Sequence, residues 1–168
     1  EDKTEMVPQA TAMDHLFLVP GSIDCAALER EFIEVPAAET VLRRLLAADL
    51  SPVGADVRGT YDIIIIDTPP GIGILTINAL VAADRLIVPV QAEYLALEGL
   101  SLMAETIARI HDHFNPRLQR IQVLVTMYDP RLKLAKAVLD ELRTNLAGHE
   151  QFAVMSTVIP RNVKLAEA

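Results

Sequence analysis

Five short apolar runs alternate along the chain with segments that have helical periodicity. The runs occupy residues 15–20, 61–67, 85–90, 120–127 and 152–160. Strands that are separated by helices are typical of right-handed β–α–β crossovers, which produce a parallel sheet. The pattern therefore predicts an α/β fold in which a parallel sheet has helices on both faces.

The run at 61–67 differs from the others because it contains four consecutive isoleucines, Ile63 to Ile66. A strand that is covered on both faces shows no alternation of apolar and polar residues. We therefore predict that this run is the central strand. Pro89 cannot donate a hydrogen bond to a neighbouring strand, so we expect it near the end of the 85–90 strand.

Three helices are predicted from apolar positions that recur three and four residues apart. The first begins behind Pro36, and the third, at about 131–147, has Gly148 as its C-terminal stop. The inward positions are Ala38, Val41, Leu42, Leu45 and Leu46 in the first helix, Leu100, Met103, Ile107, Ile110 and Phe114 in the second, and Ala135, Val138, Leu142 and Leu146 in the third. No internal repeat interrupts the pattern, so residues 1–168 are predicted to form a single domain.

Composition and charge narrow the class of protein. The 168 residues are 51% hydrophobic and 23% charged, which is typical of a globular domain, and no apolar run reaches the roughly 18 residues of a membrane span. A cytoplasmic protein is expected. The net charge of −8 argues against nucleic-acid binding through overall charge, but residues 117–168 carry 8 basic and 5 acidic side chains.

The segment 61–73 carries the clearest chemical signal, a strand that ends in Asp67 and is followed by a Thr-Pro-Pro-Gly turn. Ligands of open α/β sheets bind beyond the carboxyl ends of the strands. An aspartate there can accept a hydrogen bond from a water molecule on Mg²⁺, which is the Walker B role. The alternative is that Asp67 caps the following helix.

The turn after Asp67 combines stiff and flexible residues. Pro69 and Pro70 restrict the backbone and remove donors, while Gly71 and Gly73 restore conformational freedom. This combination suits a segment that changes conformation with the phosphate state of a nucleotide.

Four blocks, at 16–29, 61–100, 115–143 and 157–168, resemble the ParA/Soj group of chromosome and plasmid partition ATPases. The resemblance implies a P-loop NTPase of the SIMIBI or MinD/ParA type, with a deviant Walker A loop. That loop, KGGxGKT, and its N-terminal βα unit are expected before residue 1, because nothing in this sequence matches G-x-x-x-x-G-K-[ST]. A fragment without the loop is expected not to bind ATP usefully.

The resemblance also implies roles for individual residues. Asp67 corresponds to the Walker B acid that holds Mg²⁺ through water, and the turn from Thr68 to Gly71 corresponds to the switch. The residues that correspond to the adenine pocket are Thr126, Met127, Asp129, Pro160 and Arg161. The candidates for nonspecific DNA contact are Lys133, Lys136, Arg143, Arg161 and Lys164.

The function that the resemblance implies is ATP hydrolysis in DNA partitioning. A homodimer would form on Mg·ATP and bind double-stranded DNA without sequence preference in the nucleoid, and a ParB-type partner would stimulate hydrolysis. Two alternatives remain, a MinD-like or cellulose-synthesis regulatory ATPase at a membrane, and a non-catalytic dimerising or DNA-associating module. An iron–sulfur reductase of related fold needs two cysteines from each subunit, whereas this chain has only Cys25.

Overall fold

The sheet that organises the second half of the chain consists of three parallel strands. The computed structural model describes residues 8–22, 31–32, 35–47, 61–93, 96–118, 120–148 and 151–162. These residues divide between two units, Glu1–Ala82 and Ala83–Ala168. The single domain predicted above for residues 1–168 stays a prediction.

The second unit alternates strands and helices along the chain. Its elements are β3 (Arg85–Gln91), α3 (Ala96–His113), β4 (Arg120–Tyr128), α4 (Lys133–Leu146) and β5 (Phe152–Pro160). The strands are ordered β3-β4-β5 and both pairings are parallel. The predicted parallel sheet is therefore confirmed, and α4 ends close to the predicted stop at Gly148.

Right-handed crossovers explain how the helices of this unit cover the sheet. Both connections run in the same direction along the sheet, which places α3 and α4 on the same face. The burial of side chains along β3 alternates as this arrangement requires, because Val88 and Val90 are buried while Ile87 is exposed. Pro89 pairs in register with Leu124, well inside the strand. Its missing donor is tolerated because β3 is an edge strand of this sheet.

The helices bury several of the apolar positions that their periodicity indicated, but Phe114, also predicted to face inward, is exposed. Ile107 and Ile110 of α3 are buried, as are Val138 and Leu142 of α4. Asn115 follows α3, is itself buried, and donates from its side-chain amide to the carbonyl oxygen of Ala83 at 2.7 Å. This bond satisfies the buried Asn115 amide and fixes the end of α3 beside the segment that leads into β3.

The described residues of the first unit form short elements. They are β1 (Gln9–Ala10), β2 (Phe17–Leu18), a 3-10 helix (Ala38–Thr40), α1 (Val41–Ala47) and α2 (Ile74–Ala82). The first predicted helix is thus present, although its predicted inward residue Leu45 is exposed.

The predicted parallel strand at 15–20 is wrong, because β2 pairs antiparallel with β1. Local hydrogen bonds account for this difference. The Thr11 hydroxyl lies 3.0 Å from the carbonyl oxygen of Leu16 and 3.1 Å from the backbone nitrogen of Met13, which closes the connection into a hairpin. His15 adopts a φ of 61° in the same connection.

The central strand predicted at 61–67 is also absent from the structure, in which this segment forms no strand. Ile63 is 79% exposed and Ile65 is 88% exposed. A strand forms where neighbours take up its backbone hydrogen bonds, and the described residues provide no such neighbour for this segment. The Tyr61 ring contacts Phe17, with centroids 5.5 Å apart in an edge-to-face arrangement.

The buried face of α4 predicts how the second unit responds to truncation. Leu142 has no exposed surface, whereas Leu134 of the same helix is 55% exposed. Leu142→Ala should lower the free energy of unfolding by about 2–5 kcal/mol, because it leaves a cavity. Leu134→Ala makes the same chemical change on the exposed side and should cost well under about 1 kcal/mol. Urea denaturation of both variants measures the difference, and equal losses would contradict this packing of α4.

Candidate functional site

The strand register brings the carboxyl ends of β3, β4 and β5 to one edge of the sheet. Gln91 at the end of β3 pairs with Thr126 of β4, and Tyr128 of β4 pairs with Pro160 of β5. The amide of Arg161 continues this pairing by donating to the carbonyl oxygen of Tyr128 at 3.2 Å. Ligands of parallel α/β sheets bind at such an edge.

Met127 interrupts the regular pairing at this edge. The register between β4 and β5 shifts between Val125 and Tyr128, and Met127 has a φ of 52°. A residue other than glycine rarely adopts this left-handed conformation, and irregular pairing of this kind redirects a side chain away from its strand. The Met127 side chain is exposed at the edge as a result.

Asp129 is held by Arg131 through a two-pronged ion pair. The guanidinium donates from Nη2 to Oδ2 at 2.7 Å and from Nε to Oδ1 at 3.0 Å, and the Arg131 amide donates to Oδ1 at 2.9 Å. The carboxylate side chain is only 16% exposed, whereas that of Arg131 is 87% exposed. Arg131 therefore fixes the position of the carboxylate from the solvent side.

These contacts also keep Asp129 ionised. The Arg131 side-chain hydrogen bond, followed by its backbone hydrogen bond, lowers the pKa of Asp129 from 3.8 to about 2. The positive charges of Arg131 and Arg161 act in the same direction. The carboxylate in turn raises the pKa of the Arg131 guanidinium. Asp129 is thus a fixed hydrogen-bond acceptor at any physiological pH.

The structure places all five predicted adenine-pocket residues at this edge: Thr126, Met127, Asp129, Pro160 and Arg161. Sequence reasoning missed Arg131. The signal that could have found it is the sequence Asp129-Pro130-Arg131 directly after a strand, since aspartate at the start of a turn accepts the backbone N–H two residues later.

Three of the predicted DNA-contact residues lie along the exposed side of α4. Lys133, Lys136 and Arg143 are exposed and fall within an arc of about 80° on the helix surface. Asp140 lies on the same arc, and its Oδ1 is 4.0 Å from Nη1 of Arg143. The face therefore has less positive charge than its three cations indicate. Arg161 is exposed at the end of β5, and Lys164 lies outside the described residues.

Asp67 lies in the first unit, exposed at the end of the extended 61–67 segment. It does not cap the helix, because α2 begins at Ile74 and Gly73 directly precedes it. Thr68 and both prolines of the turn are exposed, and Gly71 has a φ of 100°. The structure thus makes the Asp67 carboxylate available for a ligand, while its Walker B role stays a prediction.

Neither a metal-binding cluster nor a membrane-spanning helix is found among the described residues. No group of three or more His, Cys, Asp or Glu side chains within them could hold a metal ion. His111 Nδ1 contacts Asp112 at 3.0 Å and His113 Nδ1 contacts the Arg109 carbonyl oxygen at 2.9 Å, so the two rings have separate partners. No helix in this part of the chain is long and apolar enough to cross a membrane.

The Asp129–Arg131 ion pair predicts a measurable titration. Arg131→Gln removes the bidentate donor, so the pKa of Asp129 should rise from about 2 towards 3.8. The stabilisation from this pair is present above the ordinary pKa and is lost as the pH falls through about 2. Carboxyl carbon NMR of the Asp129 resonance measures the midpoint, and Lys133→Gln serves as a charge-matched control on a neighbouring cation. An unchanged midpoint in Arg131→Gln would contradict the assigned cause.

Comparison with protein families and curated proteins identifies the group. The family model described as an AAA domain matches residues 1–120. The chromosome-partitioning ATPase Soj of Treponema pallidum is 40% identical over 162 residues, which are 96% of this chain and 59% of that protein. The sporulation initiation inhibitor protein Soj of Bacillus subtilis is 41% identical over 160 residues, 95% of this chain and 58% of that protein. The chain thus spans less than two thirds of the length of these relatives.

Solved structures agree on the fold. Cobyrinic acid a,c-diamide synthase from Mycobacterium smegmatis, solved with ADP and magnesium, has a TM-score of 0.73 at 34% identity and covers 88% of this chain and 55% of that one. A plasmid partition protein from Borrelia burgdorferi has a TM-score of 0.68 at 21% identity and covers 95% of this chain and 59% of that one. The predicted P-loop NTPase fold class is confirmed. The chain belongs to the AAA domain family that the model describes, and over most of its length it is similar to the Soj and ParA partition proteins.

Proposed function

We propose that the full-length protein is a ParA-type ATPase that partitions a chromosome or a plasmid. It dimerises on Mg·ATP, binds DNA without sequence preference in the nucleoid of the cytoplasm, and hydrolyses ATP when a ParB-type partner stimulates it. The observation that supports this most is the similarity to Soj over nearly the whole chain, together with the fixed acceptor Asp129 at the carboxyl edge of the sheet.

The carboxyl edge of β4 and β5 has the chemistry that an adenine base requires. Asp129 is an oriented acceptor for the exocyclic amino group, and the exposed thioether of Met127 offers a polarisable surface to the flat ring. Arg161 adds a cation at the same edge. These residues would position the base, which gives specificity but little of the binding energy that a triphosphate needs.

Asp67, in the first unit, fits a separate requirement of ATP hydrolysis, the one that concerns the metal. An exposed single carboxylate suits Mg²⁺, which keeps most of its waters and takes few direct protein ligands. Bound magnesium supplies charge neutralisation at the phosphates. Asp67 would hold one of its waters and thereby fix the orientation of the phosphates relative to the turn that follows.

DNA binding is proposed for the exposed side of α4 and the residues after β5, despite the net charge of −8. Attraction between charges is screened over about 8 Å at physiological salt, so local charge decides. Lys133 and Arg143 are ten residues apart, which extends the face over about 15 Å of helix. Two such faces on a dimer would bind together more tightly than one, and ATP-dependent dimerisation would then control DNA binding.

Loss of the Asp67 carboxylate tests the ATPase assignment. In the full-length protein, Asp67→Ala should lower DNA-stimulated kcat by about 10²-fold or more, the scale of a lost electrostatic contact in a transition state. Asp62→Ala is the matched control, because Asp62 is an exposed aspartate of the same segment. Steady-state phosphate release measures both. Normal turnover in Asp67→Ala would refute its role, and a wild-type protein without turnover would favour a non-catalytic module.

The position of single charges on α4 tests the DNA surface. Asp140→Asn and Glu141→Gln each remove one negative charge, but Glu141 lies about 100° further round the helix. With ATP present, Asp140→Asn should tighten DNA binding about two- to fivefold, the range of one surface charge interaction, and Glu141→Gln should leave it nearly unchanged. Fluorescence anisotropy over a salt series measures both affinities.

The two other outcomes of that comparison contradict the proposed surface in different ways. Equal tightening by both variants would mean that overall charge determines binding. No tightening by either variant would mean that α4 does not face DNA, and Arg161→Glu combined with Lys164→Glu would then test the segment after β5.

A further inference from the structure

Helix α2, which directly follows the turn after Asp67, is anchored by a buried asparagine. Asn78 is only 4% exposed. Its side-chain nitrogen donates to the carbonyl oxygens of Ala38 and Ile74, both at 2.9 Å, and its side-chain oxygen accepts from the Leu42 amide at 3.0 Å. Three of the four hydrogen bonds that an amide can form are made, all to backbone groups. Asn78 therefore fastens α2 to the 3-10 helix and to the start of α1.

The turn itself is linked to this anchored helix by one hydroxyl group. Thr76 lies in the first turn of α2, and its Oγ1 donates to the carbonyl oxygen of Gly71 at 2.9 Å. Gly71 has a φ of 100°, and a Cβ built there would meet nothing within 4 Å. Nothing packs where a Gly71 side chain would lie, whereas the Thr76 hydroxyl contacts the Gly71 carbonyl oxygen directly.

We propose that Thr76 is a positioning residue for the turn from Thr68 to Gly71 and that Asn78 provides the fixed base for it. The proposal rests on the proposed function of Asp67, which immediately precedes the turn. An anchored helix that, among the described residues, holds the turn by this one exposed hydrogen bond permits the turn to release and return without unfolding α2. Because one such bond has a modest net strength, its loss changes the population of the held conformation by about two- to tenfold.

A pair of substitutions in the full-length protein separates positioning from a purely structural role. Thr76→Val keeps the branched shape and removes the donor, whereas Thr76→Ser keeps the hydroxyl. Thr76→Val should lower DNA-stimulated kcat about two- to tenfold and leave KM for ATP within about twofold. Thr76→Ser should retain at least about half of the wild-type kcat. Unchanged or increased kcat in Thr76→Val, or an equal loss in Thr76→Ser, overturns the proposal.

A second measurement does not depend on turnover. The Ile77 amide donates to the Gly73 carbonyl oxygen at 3.0 Å, directly after the turn. Its hydrogen–deuterium exchange should accelerate in Thr76→Val and stay at the wild-type rate in Thr76→Ser. Equal exchange in all three proteins overturns the link. If the wild-type protein itself shows no ATP turnover, the proposed function fails. The exchange rates then decide by themselves whether Thr76 holds the turn.

Discussion

The parallel pairing of β3, β4 and β5 determines where the candidate site can lie. Parallel strands direct all their carboxyl ends to one edge, and the register sets Thr126 opposite Gln91 and Pro160 opposite Tyr128. The residues that follow these strand ends are brought close together by the strand pairing itself. The site residues of this unit are therefore a consequence of strand register, and the helices keep that register by burying the apolar side chains of one face.

Electrostatics at this edge is local and does not follow the total charge of the chain. The chain carries a net charge of −8, yet Arg131 and Arg161 both lower the pKa of Asp129. On α4 a negative charge weakens a positive surface, because Asp140 offsets part of the charge of the cations on its own face. Whether each surface attracts or repels a charged ligand, and how strongly, depends on the charged side chains within one screening length.

The sequence predicted the strands and helices of the second unit. The 3.6-residue periodicity correctly indicated Val138 and Leu142 as buried, and the strands that became β3, β4 and β5 were found from their apolar runs. The apolar pattern failed at residues 61–67, where a strand would need pairing partners. Ile63 and Ile65 are exposed there, and the segment pairs with no described strand. An apolar composition identifies a segment that can be buried as a strand. Whether the segment becomes a buried strand depends on neighbouring strands that pair with it.

The candidate site was predictable as a set of strand-end residues, but its details were not. Nothing in the apolar pattern indicates the left-handed φ of Met127 or the hold of Arg131 on Asp129, because both arise from backbone geometry after the strand. The sequence likewise gives no sign that Asn78, a polar residue within a helix, is buried and bonded to three backbone groups.

The most direct test of the carboxyl edge as a nucleotide site is hydrogen–deuterium exchange of the full-length protein with and without a magnesium complex of a nonhydrolysable ATP analogue. We predict slower exchange of the amides in residues 126–132 and 161–162 when the analogue binds, and no change within residues 138–146 of α4. Binding of the analogue without protection at 126–132 and 161–162 would show that the base lies elsewhere and would contradict the account.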